Sequence, residues 1–232
     1  MPAITIDPAT ALALWLQLHD SAFPAGRLVH SHGLEEWLSQ RPDADAGAIE
    51  ATVCAYLTHG YATLDAPVTA AAWRNWESLE SLTELDELIG SYKLFDNART
   101  ASMSAGRQLA ATAGEVGIGE RHPYLLAVLA GTTPGHAAVV DGVVQAQLGS
   151  TEHLAVLGSL RSMLGSMLSA AVRLGRLGPL QSQRIQLRTA AAMAALARQA
   201  CARPPEDLCS VAPALEISGM RHEQRSSRLF AT

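Results

Sequence analysis

The chain has 232 residues, of which 48% are hydrophobic and 17% charged, enough for a substantial core and against a disordered protein. Its formal net charge of -5 provides no global basic field, so binding to nucleic acid or to an anionic membrane is not expected. Three scattered cysteines without a Cys-x-x-Cys pair argue against a disulfide framework and against a structural zinc site.

Two stretches are candidates for a signal peptide or a membrane-spanning helix, and both lack the residue pattern that such a segment needs. Met1 to Thr10 carries an acidic residue and no basic one, whereas a signal peptide has a basic start followed by an apolar core. The apolar stretch Leu154 to Leu174 contains Arg161 and Arg173, and a charge within a membrane span is costly. We therefore expect this stretch to be a buried core helix and the protein to be cytoplasmic.

Helix starts, apolar stripes and helix breakers alternate through the first half of the chain. Asp7-Pro8 predicts the start of a first helix, which Ser21 to Gly26 ends. A second helix is expected from about Ser31 to Ser39, and a third carries the apolar stripe from Ile49 to Leu64. Another helix is expected from Asp65 to Trp76.

The second half of the chain continues the same pattern. The longest helix is expected to keep apolar residues in register from Leu85 to Leu109. Pro123 and Pro134 each mark the start of a further helix, and Thr151 is placed to cap the apolar stretch that follows it. An alanine-rich helix ends at Pro204-Pro205, and the residues beyond it show only weak periodicity.

The pattern as a whole predicts an all-α fold. No segment shows a sustained alternation of β-branched residues, so no strand is expected. We predict a single compact domain of roughly eight to ten helices. Residues 1–217 form its core, and residues 218–232 form a C-terminal tail.

Two smaller patterns concern packing and exposure. Gly158 and Gly165 lie on roughly one face of the apolar helix, where the missing side chains would let a neighbouring helix approach closely. The acidic pair Glu35-Glu36 and the segment Glu84 to Glu87 are expected on solvated helix faces.

Few residues are arranged as a catalytic or metal site. His19-Asp20-Ser21 has the residue types of a hydrolase triad, but adjacent residues cannot form the relay geometry. His30 and His32 are the candidate metal ligands, although two imidazoles alone bind weakly and no nearby carboxylate or cysteine pattern completes the set. Gly114 to Gly119 lacks the Lys-Ser/Thr ending of a phosphate loop. The chain is therefore predicted not to be an enzyme and to need no cofactor.

The C-terminal tail has the composition of a binding segment. Arginine and apolar residues occur together near its end, and such mixtures are typical of interface hot spots. We expect the tail to be mobile in the free protein and removable from Ser218 onward without loss of the core. Arg228 is expected to be the most sensitive position, with Leu229 and Phe230 exposed beside it. The residues concerned are Arg221, His222, Glu223, Arg225, Arg228, Leu229 and Phe230.

Five segments, in order and covering nearly the whole chain, resemble the family of urease accessory protein F. The first resembles the N-terminal motif of the family, and the last resembles its C-terminal tail. The segments are Ser21 to Gly26 with Ser31 to Glu35, Asn97 to Leu109, Gly135 to Gly142, Ala170 to Leu174 with Gln183-Arg184, and Met220 to Phe230.

The chain departs from the pattern of this family at a few positions. Arg27 stands where the family usually has a small or apolar residue, and Asp141 stands at an apolar position. Ala137-Ala138 replaces an aromatic-proline pair. These departures bear on contacts with partners and leave membership of the family intact.

The resemblance implies an all-helical protein that dimerises and binds the accessory protein called D or H. Through that complex it implies binding to the nickel-carrying GTPase, accessory protein G, and delivery of nickel to apo-urease. A gating or fidelity role over the GTPase is attributed to this component. We expect partners to contact the tail residues named above and, in the N-terminal motif, Phe23, Pro24, His30 and His32.

Two other functions stay open at the level of sequence. A helical enzyme that uses His30, His32 or His136 requires a pocket in which polar groups converge on a histidine of perturbed pKa. A nickel-binding metallochaperone acting by itself requires tight, stoichiometric binding of nickel by the isolated monomer. The scaffold function predicts exposed apolar or arginine-rich surfaces without a cleft.

Overall fold

The computed structural model describes residues 7–224 and 228–231, with the backbone alone at Leu28. Within these residues the chain forms eleven α-helices and no strand, which confirms the all-α fold class. Three short 3-10 turns lie at Arg27–Val29, Tyr61–Thr63 and Pro205–Asp207. The helices are α1 (Pro8–Leu18), α2 (Leu34–Ser39), α3 (Ala46–His59), α4 (Asp65–Arg74), α5 (Leu79–Tyr92), α6 (Asp96–Glu115), α7 (Pro123–Ala130), α8 (Ala137–Gln147), α9 (Glu152–Arg173), α10 (Pro179–Ala202) and α11 (Pro213–His222).

Two clusters of buried apolar side chains form the core, and α4 contributes to both. One cluster lies mainly among α2, α3, α9 and α10, and the other mainly among α4 to α8. Leu160, Leu164 and Leu168 of α9 are fully buried in the first cluster. By length and composition α9 could cross a membrane, but 61% of its most apolar stretch is buried inside the fold. The prediction of a buried core helix is therefore confirmed.

Two helix starts follow the capping signals in the sequence. Oδ1 of Asp7 accepts hydrogen bonds from the N–H groups of Ala9 and Thr10 at 3.0 and 3.1 Å. Oγ1 of Thr151 accepts a hydrogen bond from the N–H of Leu154 at 3.3 Å. Each side chain satisfies N–H groups that a helix start leaves without an internal partner. Both predicted caps are confirmed.

The segment predicted as one long helix from Leu85 to Leu109 consists of two helices, α5 and α6, so that prediction is wrong. Lys93 has an extended and not a helical backbone conformation, with φ -80° and ψ 92°. Its Nζ lies 2.7 Å from Oδ1 of Asp65, and its carbonyl accepts a hydrogen bond from the Arg99 guanidinium at 2.9 Å. These polar contacts hold the turn, and apolar periodicity cannot reveal them.

The two glycines of α9 have different surroundings. A Cβ at Gly158 would overlap the imidazole of His19 at the end of α1, so the missing side chain admits α1. At Gly165 the nearest atom belongs to the guanidinium of Arg161, at 3.1 Å and on α9 itself. The predicted close approach is confirmed at Gly158 and wrong at Gly165.

A buried carboxylate holds the loop that precedes α8. Asp86 accepts hydrogen bonds from the N–H groups of Gly135 and His136 at 2.6 and 2.7 Å, and from the Thr133 hydroxyl at 2.9 Å. The prediction of a solvated face at Glu84 to Glu87 is therefore wrong at Asp86, which is fully buried. Three donors compensate the carboxylate for its lost hydration.

Candidate partner-binding surface

The turn between α1 and α2 brings the N-terminal motif against α11. Gly26, His32 and Gly33 have positive φ angles of 70, 52 and 82, a conformation that is uncommon for a residue with a side chain. A Cβ at Gly33 would overlap the carbonyl of Leu215 on α11, so only glycine fits this contact. As a result α2, which has only six residues, packs between α9 and α11.

Glu35 joins α2 to both α11 and the end of the chain. Its Oε1 accepts a hydrogen bond from the Leu229 N–H at 2.9 Å, and its Oε2 accepts one from the Phe230 N–H at 3.2 Å. Oε2 also lies 2.8 Å from Nε2 of the fully buried His222. Burial acts to raise the pKa of Glu35, but these three donors outweigh it and hold the pKa below its usual value. The carboxylate is therefore the acceptor on which the end of the chain is fixed.

The end of the chain is also held from α9 and from the turn before α2. The guanidinium of Arg173 lies 4.2 Å from the centre of the Phe230 ring, and the Ala231 N–H donates to the Val29 carbonyl at 2.9 Å. Leu229 stays 61% exposed and Val29 stays 51% exposed, so the closed tail presents apolar side chains to solvent. We name this surface the tail patch, and its residues are Val29, Arg228 and Leu229.

The described part of the tail is folded onto the core, which corrects two expectations. Phe230 is only 3% exposed, so the predicted exposure of its ring is wrong, whereas the predicted exposure of Leu229 is confirmed. The prediction of a solvated face at Glu35-Glu36 is wrong, because both residues are buried, Glu35 under the tail. Ser218, where the tail was expected to begin, is a buried residue in the middle of α11.

The other predicted tail residues take separate positions. The guanidinium of Arg221 donates to the Gln40 side chain at 3.1 Å. Oε1 of Glu223 accepts a hydrogen bond from the Asn97 N–H at 2.9 Å, at the start of α6. Arg225 lies outside the described residues. Partner contact at these three positions therefore stays a prediction.

Phe23 and Pro24 lie at a different place from the tail patch. Phe23 is half-buried against the second core cluster. Pro24 is exposed, and its carbonyl accepts a hydrogen bond from the Thr112 hydroxyl of α6 at 2.9 Å. The structure thus divides the predicted partner-binding residues between two places, one on α6 and one on α2 and α11.

His30 and His32 lie close together, with ring centroids 6.2 Å apart. Burial, with smaller contributions from His30 and Lys93, lowers the pKa of His32 to about 3. Within residues 7–224 and 228–231, no group of three or more His, Cys, Asp and Glu side chains could hold a metal ion. That the pair is not a metal site stays a prediction for titration to test.

A cavity of about 170 Å³ lies beside these histidines, so the expectation of a surface without a cleft is wrong. Its wall includes His30, His32 and the ion pair of Lys93 with Asp65. His136 is absent from the cavity lining, and its Nδ1 lies 3.1 Å from the Ser102 hydroxyl. A histidine with a pKa of about 3 is neutral at neutral pH and is a poor general base there.

Two of the departures from the family pattern meet in the wall of this cavity. A guanidinium nitrogen of Arg27 lies 3.0 Å from Oδ1 of Asp141, whose side chain is 9% exposed. Arg27 also donates to the Leu18 carbonyl at 3.1 Å. Ala137 and Ala138 line the same cavity. Arg27 and Asp141, the two charged departures from the family pattern, therefore neutralise each other's charge.

A family model described as UreF matches residues 44–190 of the chain. The chain belongs to the UreF family. The "Urease accessory protein UreF" of Arthrobacter sp. (strain FB24) is 32% identical over 217 residues, which cover 92% of this chain and 94% of the relative. The protein of the same name from Bacillus sp. (strain TB-90) is 27% identical over 222 residues, covering 92% and 96%. That of Trichodesmium erythraeum (strain IMS101) is 28% identical over 231 residues, covering 98% and 99%.

These matches confirm the family that the motifs indicated. The UreF model spans the chain from just before α3 into α10, and the similarity to whole UreF proteins extends to nearly the full length. The tail patch lies outside the span of the UreF model.

Proposed function

We propose that this UreF protein is a non-catalytic scaffold for nickel insertion into urease. It binds the D/H-type accessory protein and, through that complex, the G-type GTPase that carries nickel to apo-urease, with a modulating effect on the GTPase. It acts in the cytoplasm and as a homodimer. Membership of the UreF family supports the pathway, because the relatives are named as urease accessory proteins.

One observation carries the proposed docking site, namely the tail patch. Leu229 and Val29 are both exposed, and Glu35 fixes the backbone of Leu229, so this backbone needs no ordering at the moment of binding. Exposed Arg228 can form paired hydrogen bonds with a carboxylate on a partner. Burying one such leucine contributes about 1.5–3 kcal/mol to an interface.

Co-purification with the D/H-type accessory protein tests this site. Arg228→Ala and a deletion of residues 228–232 should both lose the complex. Arg228→Ala should keep the melting temperature within a few degrees of wild type, whereas the deletion removes buried Phe230 and two donors to Glu35 and should lower the melting temperature of a protein that still folds. Arg198→Ala, at an exposed arginine of α10 outside the segments that resemble the family, serves as the matched control and should bind normally. Normal binding by the deletion variant would remove the tail patch from the interface.

The structure changes the choice of deletion. A cut before Ser218 removes half of α11 together with the buried His222 and leaves Glu35 without its histidine partner. We therefore expect that cut to destabilise the fold, contrary to the expectation from the sequence. A cut before Arg228 leaves α11 and the contact of His222 with Glu35 whole, so it should cost less stability, and Arg228→Ala separates loss of docking from loss of folding.

The cavity beside His30 and His32 favours a second candidate, a protein that binds nickel or acts on a substrate there. Calorimetric titration of the isolated protein with nickel tests the first case. Submicromolar binding that disappears in His30→Ala or His32→Ala would replace the scaffold proposal with a metallochaperone. Hydrolysis of GTP or urea by the isolated protein, abolished by His30→Ala or His32→Ala, would replace it with an enzyme.

Homodimerisation has its own test, because no contact described here depends on a second copy. Sedimentation of the free protein should give a dimer, and Phe23→Asp should weaken that dimer if the exposed face around Pro24 takes part. A monomer at all concentrations would remove the dimer from the proposal.

A further inference from the structure

We propose that Glu35 is the positioning residue of the tail, a buried acceptor whose three hydrogen bonds hold the end of the chain closed and so create the tail patch. This inference rests on the proposed function only where it concerns partner binding. The closure itself can be measured on the free protein.

Three hydrogen-bond donors converge on the side chain of Glu35. The N–H groups of Leu229 and Phe230 and Nε2 of His222 all lie within hydrogen-bond distance of the Glu35 carboxylate. A backbone N–H that is buried without an acceptor is costly, so the closed tail needs an acceptor at this place. Only a carboxylate offers two oxygens and no donor, and therefore it can accept from all three groups.

The same carboxylate determines which side chains of this segment are exposed. Fixing the N–H of Phe230 turns its ring inward, where it lies under the Arg173 guanidinium. The neighbouring Leu229 then points outward, and the Ala231 N–H reaches the Val29 carbonyl. Without the carboxylate, the backbone at Leu229 and Phe230 loses its acceptor, and the described contacts that remain are those of Phe230 with Arg173 and of Ala231 with Val29. Glu35 thus governs the tail patch without touching a partner.

The charges around Glu35 decide how the closure responds to pH. From α11 it faces His222, and from α9 the Arg173 guanidinium lies over the ring that the closure buries. Glu36, its neighbour on α2, accepts hydrogen bonds from Ser39 and Gln40. Because the pKa of Glu35 is held below its usual value, protonation favours the open tail, and closure is lost only as the pH falls through that lowered pKa.

Hydrogen exchange of the Leu229 and Phe230 amides in the free protein tests the closure. Glu35→Gln keeps the size of the side chain but replaces one acceptor oxygen by a donor, so both amides should exchange about tenfold faster. Glu50→Gln, at a carboxylate of α3 that pairs with Arg188, is the matched control and should leave both rates unchanged. In wild type the same rates, after correction for intrinsic exchange, should rise when the pH falls below about 4.5, and Glu35→Gln should lack that step.

The outcomes separate the inference from the proposed function. Unchanged amide protection in a folded Glu35→Gln protein, or a wild-type pH step that persists in this variant, would overturn the inference. Faster exchange together with weakened capture of the D/H-type protein supports both. Faster exchange with normal capture supports the closure by Glu35 and contradicts the tail patch as a docking site. If Glu35→Gln fails to fold, the wild-type pH step decides, and its absence overturns the inference.

Discussion

At the scale of single residues, buried charges organise this UreF protein more than the sequence suggests. Glu35 and Asp86 stand on segments that appear polar in sequence, yet each is buried with three donors around its carboxylate. Periodicity missed both, because it records which face is apolar and not which backbone N–H groups need an acceptor. In the sequence, burial of Glu35 is indicated by its place between Leu34 and Trp37, in a helix too short to keep a separate solvated face.

The Arg27–Asp141 pair gives the sharpest residue-level prediction. Arg27→Ala should lower the free energy of unfolding by roughly 1–3 kcal/mol, because Asp141 would be left nearly buried and without its cation. The double variant with Asp141→Ala should lie closer to wild type than the sum of the single variants. A double-mutant cycle from urea denaturation measures the coupling.

The control for that cycle is the pair of Arg188 with Glu50, whose side chains are 57% and 25% exposed. This surface pair should show a much smaller coupling, because solvent screens exposed charges. Equal couplings at the two sites would mean that burial of Asp141 does not matter.

At the scale of helices, the sequence predicted most elements and misjudged where polar contacts divide them. Caps at Asp7 and Thr151 and the apolar stripe of α9 are confirmed, because they depend on neighbouring residues alone. The break at Lys93 could not be predicted, because it depends on Asp65, a residue of another helix. Helix α11 was missed for the same reason, since packing against α2 stabilises it more than its own weak periodicity.

The docking of α1 onto α9 can be tested at Gly158. Gly158→Ala should displace the His19 imidazole, disturb its hydrogen bonds to Ser162 and Gln145, and lower the melting temperature by several degrees. Gly165→Ala in the same helix is the matched control. Its nearest neighbour is the movable end of Arg161, so helix propensity should make it neutral or stabilising by up to about 1 kcal/mol. Equal losses in both variants would show that helix geometry rather than α1 is the cause.

At the scale of the whole molecule, buried histidines tie stability to pH. Burial lowers the pKa of His19, His30, His122 and His136, and lowers that of His32 to about 3. In the unfolded chain a histidine has a pKa near 6.5 and binds a proton at a pH where the buried histidine of the folded protein stays neutral. Acid therefore favours unfolding. The stabilisation is fully present above about pH 6.5 and is lost as the pH falls below that value.

The pH dependence can be assigned to His32 by substitution. The free energy of unfolding should decrease from about pH 7 to about pH 5, and His32→Asn should reduce that slope. Asparagine tolerates the positive φ of 52 at this position, so the backbone conformation is kept. An unchanged slope in His32→Asn would show that His32 is not the group responsible.

The bond between Glu35 and the Leu229 N–H joins residues that are 194 positions apart. Contacts of such sequence separation form late, because loop closure must be offset by structure already in place. The tail patch therefore assembles only after α2, α9 and α11 have met, and a chain with one misplaced helix does not display it. A partner that binds this surface would discriminate finished molecules from folding intermediates, so docking would also act as a check on the quality of the fold.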